Sequence, residues 1–183
     1  LAAKMGLPIV SLINTPGAYP GIGAEERGQA GAIAESILGM FHLDVPILSI
    51  VIGEGGSGGA LGIGVGDRVL MMEYSYYSVI SPEGCAAILW KDGARTPDAA
   101  SALRLTSVDL MELGVVDGVI DEPRGGAHRD RQGAIKKLRE VVLSELKGLS
   151  AIPREELVSR RRAKYRHLGA IQGRFPSSGA AKT

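Results

Sequence analysis

The chain has 183 residues, of which 45% are hydrophobic, so it can bury one sizeable core and a single main domain is expected. Its formal net charge of +1 excludes a global field that could attract nucleic acid or an anionic membrane. Its single cysteine, Cys85, excludes an internal disulfide. Any binding or catalytic site must therefore be built locally.

Neither a signal peptide nor an apolar run of about 20 residues is present in the sequence, which predicts a soluble protein of a reducing compartment with no membrane partner. The sequence opens on "LAAKMG" without an initiator Met, in what looks like the last turn of a helix. We therefore expect a fragment that lacks an N-terminal part.

The first half of the chain alternates strands and helices. Residues 8–13 form an apolar, β-branched run that predicts a buried strand, and the loop "NTPGAYPG" follows it. Helical spacing of apolar residues predicts a helix over 24–42. The continuous apolar run 45–52 predicts a strand covered on both faces, followed by a glycine loop and a helix that begins at Ser57.

The second half predicts strands over 68–73, 76–81 and 115–121, with helices over 82–90, 96–105 and 106–113 between them. Two further helices are predicted over 132–147 and 153–166. This succession indicates an α/β fold with its active groups on loops at the strand ends. We predict a main domain over 1–150, a charged C-terminal helix over 151–168 and a disordered tail over 169–183.

The glycine loop, "GEGGSGGALGIGVG" over 53–66, matches two short fingerprints. Gly53, Gly55 and Gly58 fit the dinucleotide pattern G-x-G-x-x-G, for which Glu73 could supply the acidic residue at the end of the next strand. Such a fingerprint normally opens its domain, whereas here a strand, a loop and a helix come first. A non-catalytic dinucleotide-binding module is therefore one alternative.

The same loop fits the nucleophile pattern G-x-S-x-G around Ser57. Asp117 and His128 follow in the order that a serine hydrolase requires. His128 lies in a glycine-rich loop, where it could equally be a solvated surface residue. A hydrolase with Ser57 as nucleophile is the second alternative.

A third interpretation needs no side chain, because the first turn of a helix that starts near Ser57 presents free N–H groups beyond the strand end. Glycine at 58 and 59 would let a substrate oxygen approach these groups without meeting a Cβ atom, as in an oxyanion hole. The alternative is that both glycines only permit close packing between helix and strand. The second glycine and proline loop, at 15–21, leaves the preceding strand and favours a shared pocket.

Three long stretches carry a resemblance to a known family. "NTPGAYPGIGAEERGQAGAIAESI", "VPILSIVIGEGGSGGALGIGVGDRVLMMEYSYYSVISPEGCAAILWKD" and "EPRGGAHRD" resemble the alpha subunit of the bacterial and plastid type acetyl-CoA carboxylase carboxyltransferase. The resemblance runs from about residue 8 to 130 and more weakly to 166. It implies a crotonase-like fold of repeated ββα units and a heterotetramer of two alpha and two beta subunits, located in the cytoplasm or, in a plant, in the plastid stroma.

The resemblance also implies an activity. The family transfers a carboxyl group from carboxybiotin, on the biotin carboxyl carrier protein, to acetyl-CoA to give malonyl-CoA, the first committed step of fatty acid synthesis. Biotin carboxylase belongs to the larger complex, and zinc in these enzymes belongs to the beta subunit. Released biotin anion can act as the base, so no histidine or cysteine is required.

The resemblance further assigns residues by position. The N–H groups of Gly58 and Gly59 would hold the biotin ureido oxygen as catalytic groups, while the beta subunit serves acetyl-CoA. The biotin pocket would be walled by Pro16, Gly17, Ala18, Tyr19, Pro20 and Gly21.

Four further expectations concern single residues and one cluster. Cys85 is expected to be a packed core residue rather than a nucleophile. Tyr19 either lines the biotin pocket or shields a turn. Ser57 is expected to cap its helix. The basic residues Arg160, Arg161, Arg162, Lys164 and Arg166 could reach coenzyme A phosphates, but a charged run on a terminal helix is usually a solvated face, and we expect that here.

Overall fold

A computed structural model describes residues 1–169 of the chain. The predicted tail, apart from Gly169, lies outside the described residues. The strands are β1 (Ile9–Thr15), β2 (Ile47–Gly56), β3 (Arg68–Met72), β4 (Tyr76–Ser78) and β5 (Gly118–Ile120). The helices are α1 (Ala2–Met5), α2 (Ile22–Glu26), α3 (Gln29–His42), α4 (Ser57–Leu61), α5 (Pro82–Leu89), α6 (Thr96–Leu103), α7 (Ser107–Glu112), α8 (Arg131–Ser150) and α9 (Arg154–His167).

All strand pairs in the sheet are parallel, in the order β1-β2-β3-β5, and β4 pairs with the C-terminal half of β2. This confirms the predicted α/β class. Strand β2 is the centre of the sheet, and its first half is buried on both faces, as its uninterrupted apolar run predicts. Because β1 and β2 are adjacent and parallel, the loops that follow them leave the same edge of the sheet.

The two faces of the sheet carry separate clusters of buried side chains. On one face, Ile13, Val51 and Met71 pack with Leu110 of α7 and Ala60 of α4. On the other face, apolar side chains of α8 cover Leu48, Ile50, Leu70 and Ile120. Alternation of side chains along the strands produces the two clusters from one sheet. Within residues 1–169, no helix is both long enough and apolar enough to cross a membrane.

The predicted helix over 24–42 is wrong in one respect, because the structure divides it into α2 and α3. Gly28 lies between them with φ +74°, a left-handed conformation that interrupts the helix and that glycine adopts without a Cβ penalty. The predicted start of α5 is confirmed, since Ser81 caps it by accepting a hydrogen bond from Gly84 N–H and Pro82 is its first residue. Cys85 is buried in α5 against Ala86 and Ala99, as expected.

The expectation of a solvated basic face on α9 is wrong for Arg161, whose side chain is completely buried. Its guanidinium donates to both carboxylate oxygens of Asp67, at 2.8 and 2.9 Å. It also donates to the carbonyl oxygens of Met40, Leu43 and Val45, at 2.7, 2.7 and 2.9 Å. These bonds match the five N–H donors of a guanidinium, so the buried charge is fully compensated.

Lys164, one turn further along α9, also points inward and forms an ion pair with Asp117 at the start of β5. Burial lowers the pKa of the Lys164 ammonium, and the Asp117 carboxylate opposes this shift. Arg160, Arg162 and Arg166 remain exposed, as expected. Helix α9 is therefore fixed to the edge of the sheet where β3 and β5 begin, opposite the glycine loop.

We predict that Arg161→Met lowers the free energy of unfolding by about 3–5 kcal/mol, because it leaves the Asp67 carboxylate buried without its partner. Arg160 is the matched control. It is exposed and pairs only with Glu156 one turn earlier, so Arg160→Met should cost less than about 0.5 kcal/mol. Urea unfolding of both variants checks the difference, and equal stabilities would contradict the role assigned to Arg161.

Candidate functional site

The loop over 15–21 and the glycine loop are in direct backbone contact at one edge of the sheet. A Cβ atom on Gly56 would lie 2.1 Å from the carbonyl oxygen of Pro16, and one on Gly59 would lie 2.7 Å from the carbonyl carbon of Gly17. Real Cβ atoms essentially never approach backbone this closely. Glycine at 56 and 59 is therefore required by the neighbouring loop, and the expected proximity of the two loops is confirmed.

The loop over 15–21 is ordered by short-range contacts. The Thr15 hydroxyl bonds the backbone of Gly17 at both its N–H and its carbonyl oxygen, each at 3.2 Å. Gly17 has φ +135°, a backbone conformation that residues with a side chain rarely adopt. The ring of Tyr19 lies over Gly21, where a Cβ atom would be 2.1 Å from Cε1, and the side chain is otherwise exposed. The Tyr19 ring therefore covers Gly21 and, like Pro16 and Pro20, is also exposed at the surface, an arrangement that agrees with either expected role.

Helix α4 is only five residues long and begins directly at the end of β2. A Cβ atom on Gly58 would meet the terminal methyl group of Ile33 in α3 at 3.3 Å. The Ser36 hydroxyl, also in α3, donates to the carbonyl oxygen of Gly62 at 2.5 Å. At the positions where a Cβ atom would lie, both helix glycines therefore pack closely against neighbouring protein, as the packing interpretation expects.

The N–H groups at the start of α4 nevertheless remain available. The first N–H groups of a helix have no partner inside the helix. Those of Gly58 and Gly59 donate to no acceptor elsewhere in residues 1–169. Because the loop over 15–21 lies against Gly59, these donors and that loop border the same region of the surface.

Ser57 does not have the role that the sequence suggested. Gly56 is the N-cap of α4 and Ser57 is its first residue, so the expectation that Ser57 caps the helix is wrong. Its φ of +49° is left-handed, which strains a residue that has a Cβ atom. Within the described part of the chain, its hydroxyl forms no hydrogen bond to a cap or a base.

The residues of the hydrolase alternative are not assembled into a triad. Asp117 lies where β5 begins and pairs with Lys164, Arg68 and the N–H of Val69. Ser57 follows the opposite, C-terminal end of β2. His128 lies in a separate loop with its ring against Gly126. No described contact joins these side chains, so the structure gives Ser57 no general base.

The dinucleotide alternative fails for similar reasons. Gly53 and Gly55 are still part of β2 and not of a turn between strand and helix, and the helix that follows has only five residues. Glu73, the proposed ribose ligand, accepts a hydrogen bond from Glu122 N–H at 3.0 Å. Its carboxylate therefore joins β3 to the loop after β5.

Sequence reasoning missed two side chains that shape the glycine loop. The Asn14 side-chain oxygen accepts a hydrogen bond from Glu54 N–H at 3.0 Å and lies over Gly53. The Tyr77 ring lies over Gly55, where a Cβ atom would approach Cδ2 at 2.8 Å. An asparagine directly before a proline and glycine loop was a usable signal for the first, whereas only the pairing of β4 with β2 reveals the second.

The arrangement agrees with the crotonase-like α/β fold that the resemblance implies, and comparison with solved structures supports this fold. Transcarboxylase 12S superposes with a TM-score of 0.69 at 21% identity, over 82% of this chain and 29% of that one. A Pseudomonas malonate decarboxylase superposes with a TM-score of 0.71 at 15% identity, over 90% of this chain and 71% of that one. At these identities the likeness shows the fold.

The family described as acetyl co-enzyme A carboxylase carboxyltransferase-like matches residues 1–169, and the chain belongs to it. The acetyl-coenzyme A carboxylase carboxyl transferase subunit alpha of Xanthomonas oryzae pv. oryzae is 57% identical over 174 residues, which are 95% of this chain and 54% of that protein. The Geobacter sulfurreducens subunit alpha is 58% identical over 168 residues, 92% of this chain and 53% of that protein. The chain thus spans about half the length of these relatives.

We predict that Ser57→Gly stabilises the chain by about 1 kcal/mol relative to Ser57→Ala, because only glycine adopts the left-handed conformation without strain. Urea unfolding of the two variants measures the difference. A fluorophosphonate probe should leave Ser57 unlabelled, since no base activates its hydroxyl. Stoichiometric labelling of Ser57 in the folded protein would contradict this assignment.

Proposed function

We propose that this chain is part of an alpha subunit that transfers a carboxyl group from carboxybiotin, carried on the biotin carboxyl carrier protein, to acetyl-CoA, giving malonyl-CoA. The family membership supports the class of reaction. At the site, the proposal rests on the backbone contact between Gly59 and Gly17. This contact brings the free N–H donors of α4 beside the loop over 15–21.

Carboxyl transfer from biotin places negative charge on the ureido oxygen as the carboxyl group leaves. In our proposal the N–H groups of Gly58 and Gly59 donate to this oxygen, as preorganised donors aimed at a developing charge. The loop of Pro16, Gly17, Ala18, Tyr19, Pro20 and Gly21 forms the wall of the biotin pocket. Neighbouring backbone fixes both elements, so no reorganisation is needed when charge develops.

Within residues 1–169, no histidine or cysteine lies in either of the two loops. Of its three histidines, His42 ends α3, His167 ends α9 and His128 lies beyond β5. Cys85 is buried in α5. This distribution supports a mechanism in which the protein binds and orients through backbone groups, while the released biotin anion accepts the proton from acetyl-CoA.

A beta subunit completes the proposed enzyme by binding acetyl-CoA, and two alpha and two beta subunits form the assembly, with biotin carboxylase in the larger complex. Several large apolar side chains on α5 and around α7 support a subunit interface, since they are exposed here. Ile88, Leu89 and Val108 are 68%, 67% and 75% exposed.

The test of the proposed function is to assay a full-length alpha subunit that contains this sequence, alone and after co-expression with its beta subunit. We expect malonyl-CoA formation only from the assembled pair, because the acetyl-CoA half of the site lies on the other subunit. Turnover by alpha chain free of beta would contradict the division of the site, and an inactive pair would contradict the function itself.

Substitution of the two helix glycines tests the site within that assembly. Gly59→Ala forces the loop over 15–21 away from α4, and we expect a loss of about 10²-fold in kcat/KM, because small displacements of catalytic groups have effects of this size. Gly58→Ala is the matched control, since its Cβ atom meets only a flexible methyl group of Ile33. It should retain activity within about tenfold.

Size-exclusion chromatography of both variants confirms that the complex assembles. Wild-type turnover by an assembled Gly59→Ala enzyme would show that the two loops do not form the site.

A further inference from the structure

The loop after β5, residues 122–131, which we term the arginine loop, is held firmly by its own carboxylates. The two oxygens of Glu122 accept hydrogen bonds from Tyr74 N–H at 3.1 Å and Ala127 N–H at 2.8 Å. Asp130 caps α8 by accepting from Gly133 N–H at 2.9 Å. Both carboxylates are thus engaged by backbone donors rather than by cations.

The cations of the arginine loop have no such partners. Arg124, Arg129 and Arg131 are exposed, and within residues 1–169 none of them has a carboxylate within ion-pair distance. Some other exposed arginines, such as Arg95 and Arg160, do form ion pairs. The arginine loop therefore presents three arginines without ion pairs on an ordered backbone, although Glu122 and Asp130 reduce its formal charge to +1.

The position of the arginine loop relates it to the candidate site. It follows β5, so it lies at the same edge of the parallel sheet as the loops after β1 and β2. A cavity of about 490 Å³ separates it from the glycine loop and is bordered by Gly53, Tyr74, Gly126 and His128. The three arginines lie on the same loop as Gly126 and His128 but do not line this cavity, and protein interfaces commonly combine a pocket for an inserted side chain with polar contacts around it.

The character of this surface indicates the kind of partner. Permanent subunits associate through apolar faces, such as the exposed side chains of α5 and α7. A partner that must arrive and leave in each turnover gains more from charge, because electrostatic attraction raises the association rate without a large buried area. Exposed arginines on an ordered loop fit the second kind of partner.

We propose that the arginine loop is the docking surface for an acidic patch on the biotin-carrying protein. The inference rests on the proposed function and adds the place where the carrier binds. The arginines attract the carrier electrostatically and orient it so that its biotin reaches the loop over 15–21, while the cavity beside His128 receives a side chain of the carrier.

The test uses the assembled carboxyltransferase and compares two biotin substrates, the carrier protein and free biocytin, in the direction that carboxylates biotin from malonyl-CoA. The variant R124Q/R129Q/R131Q should lower kcat/KM for the carrier by about tenfold or more at low salt and flatten its dependence on ionic strength. Its kcat/KM for biocytin should stay within twofold of wild type, because biocytin has no protein surface to dock.

Two control variants sharpen the comparison. R124K/R129K/R131K keeps the charge and should retain most carrier activity, while R162Q/R166Q removes two exposed charges at the opposite edge of the sheet and should change neither substrate. Unchanged carrier kinetics in the glutamine variant, or an equal loss with both substrates, would overturn the docking proposal. Wild-type enzyme that is inactive with both substrates would instead overturn the proposed function.

Discussion

The candidate site depends on one contact, in which the backbone of Pro16 and Gly17 lies directly against Gly56 and Gly59. The loop over 15–21 can approach this closely only because positions 56 and 59 carry no Cβ atom. The parallel pairing of β1 and β2 brings the loops to one edge, and the glycines then allow them to touch. The free N–H donors of α4 gain a fixed neighbour from this contact, and any use of them in binding relies on it.

The opposite edge of the sheet is built on a different principle. There Arg161 joins the end of α3, the start of β2 and Asp67 just before β3, by five hydrogen bonds from one buried guanidinium. A buried ion pair does not guarantee net stabilisation, but it depends strongly on geometry, so displacing either partner destabilises the protein. It fixes α9 and the start of the central strand, and so holds the register of the strand that leads into the glycine loop.

Much of this architecture could be predicted from local signals. Continuous apolar runs identified β2 and β3, and Ser81 with Pro82 identified the start of α5, because these signals act within a few residues. Gly28 was not recognised as a break, since one glycine inside a helical pattern is usually tolerated. Arg161 could not be recognised as buried, because its partners lie 94 to 121 residues away in the sequence.

In the candidate site, too, features set by neighbouring residues could be predicted, whereas features set by residues distant in the sequence could not. The order of the strands predicted that the two glycine loops lie close together. It did not predict why position 59 must be glycine, because the atoms that exclude a side chain there belong to Gly17 in the other loop. The expected capping role of Ser57 also failed, since β2 continues further into the glycine loop than its apolar run suggested and Gly56 takes the cap position.

The proposed site is composed of backbone donors, which affects how its sequence is interpreted. No substitution deletes a backbone N–H except one to proline, so the side chains that matter are those that position the donors. Ile33 packs against Gly58, Asn14 holds the end of β2 at Glu54, and Thr15 holds Gly17. The glycines and these three supports specify where the donors lie.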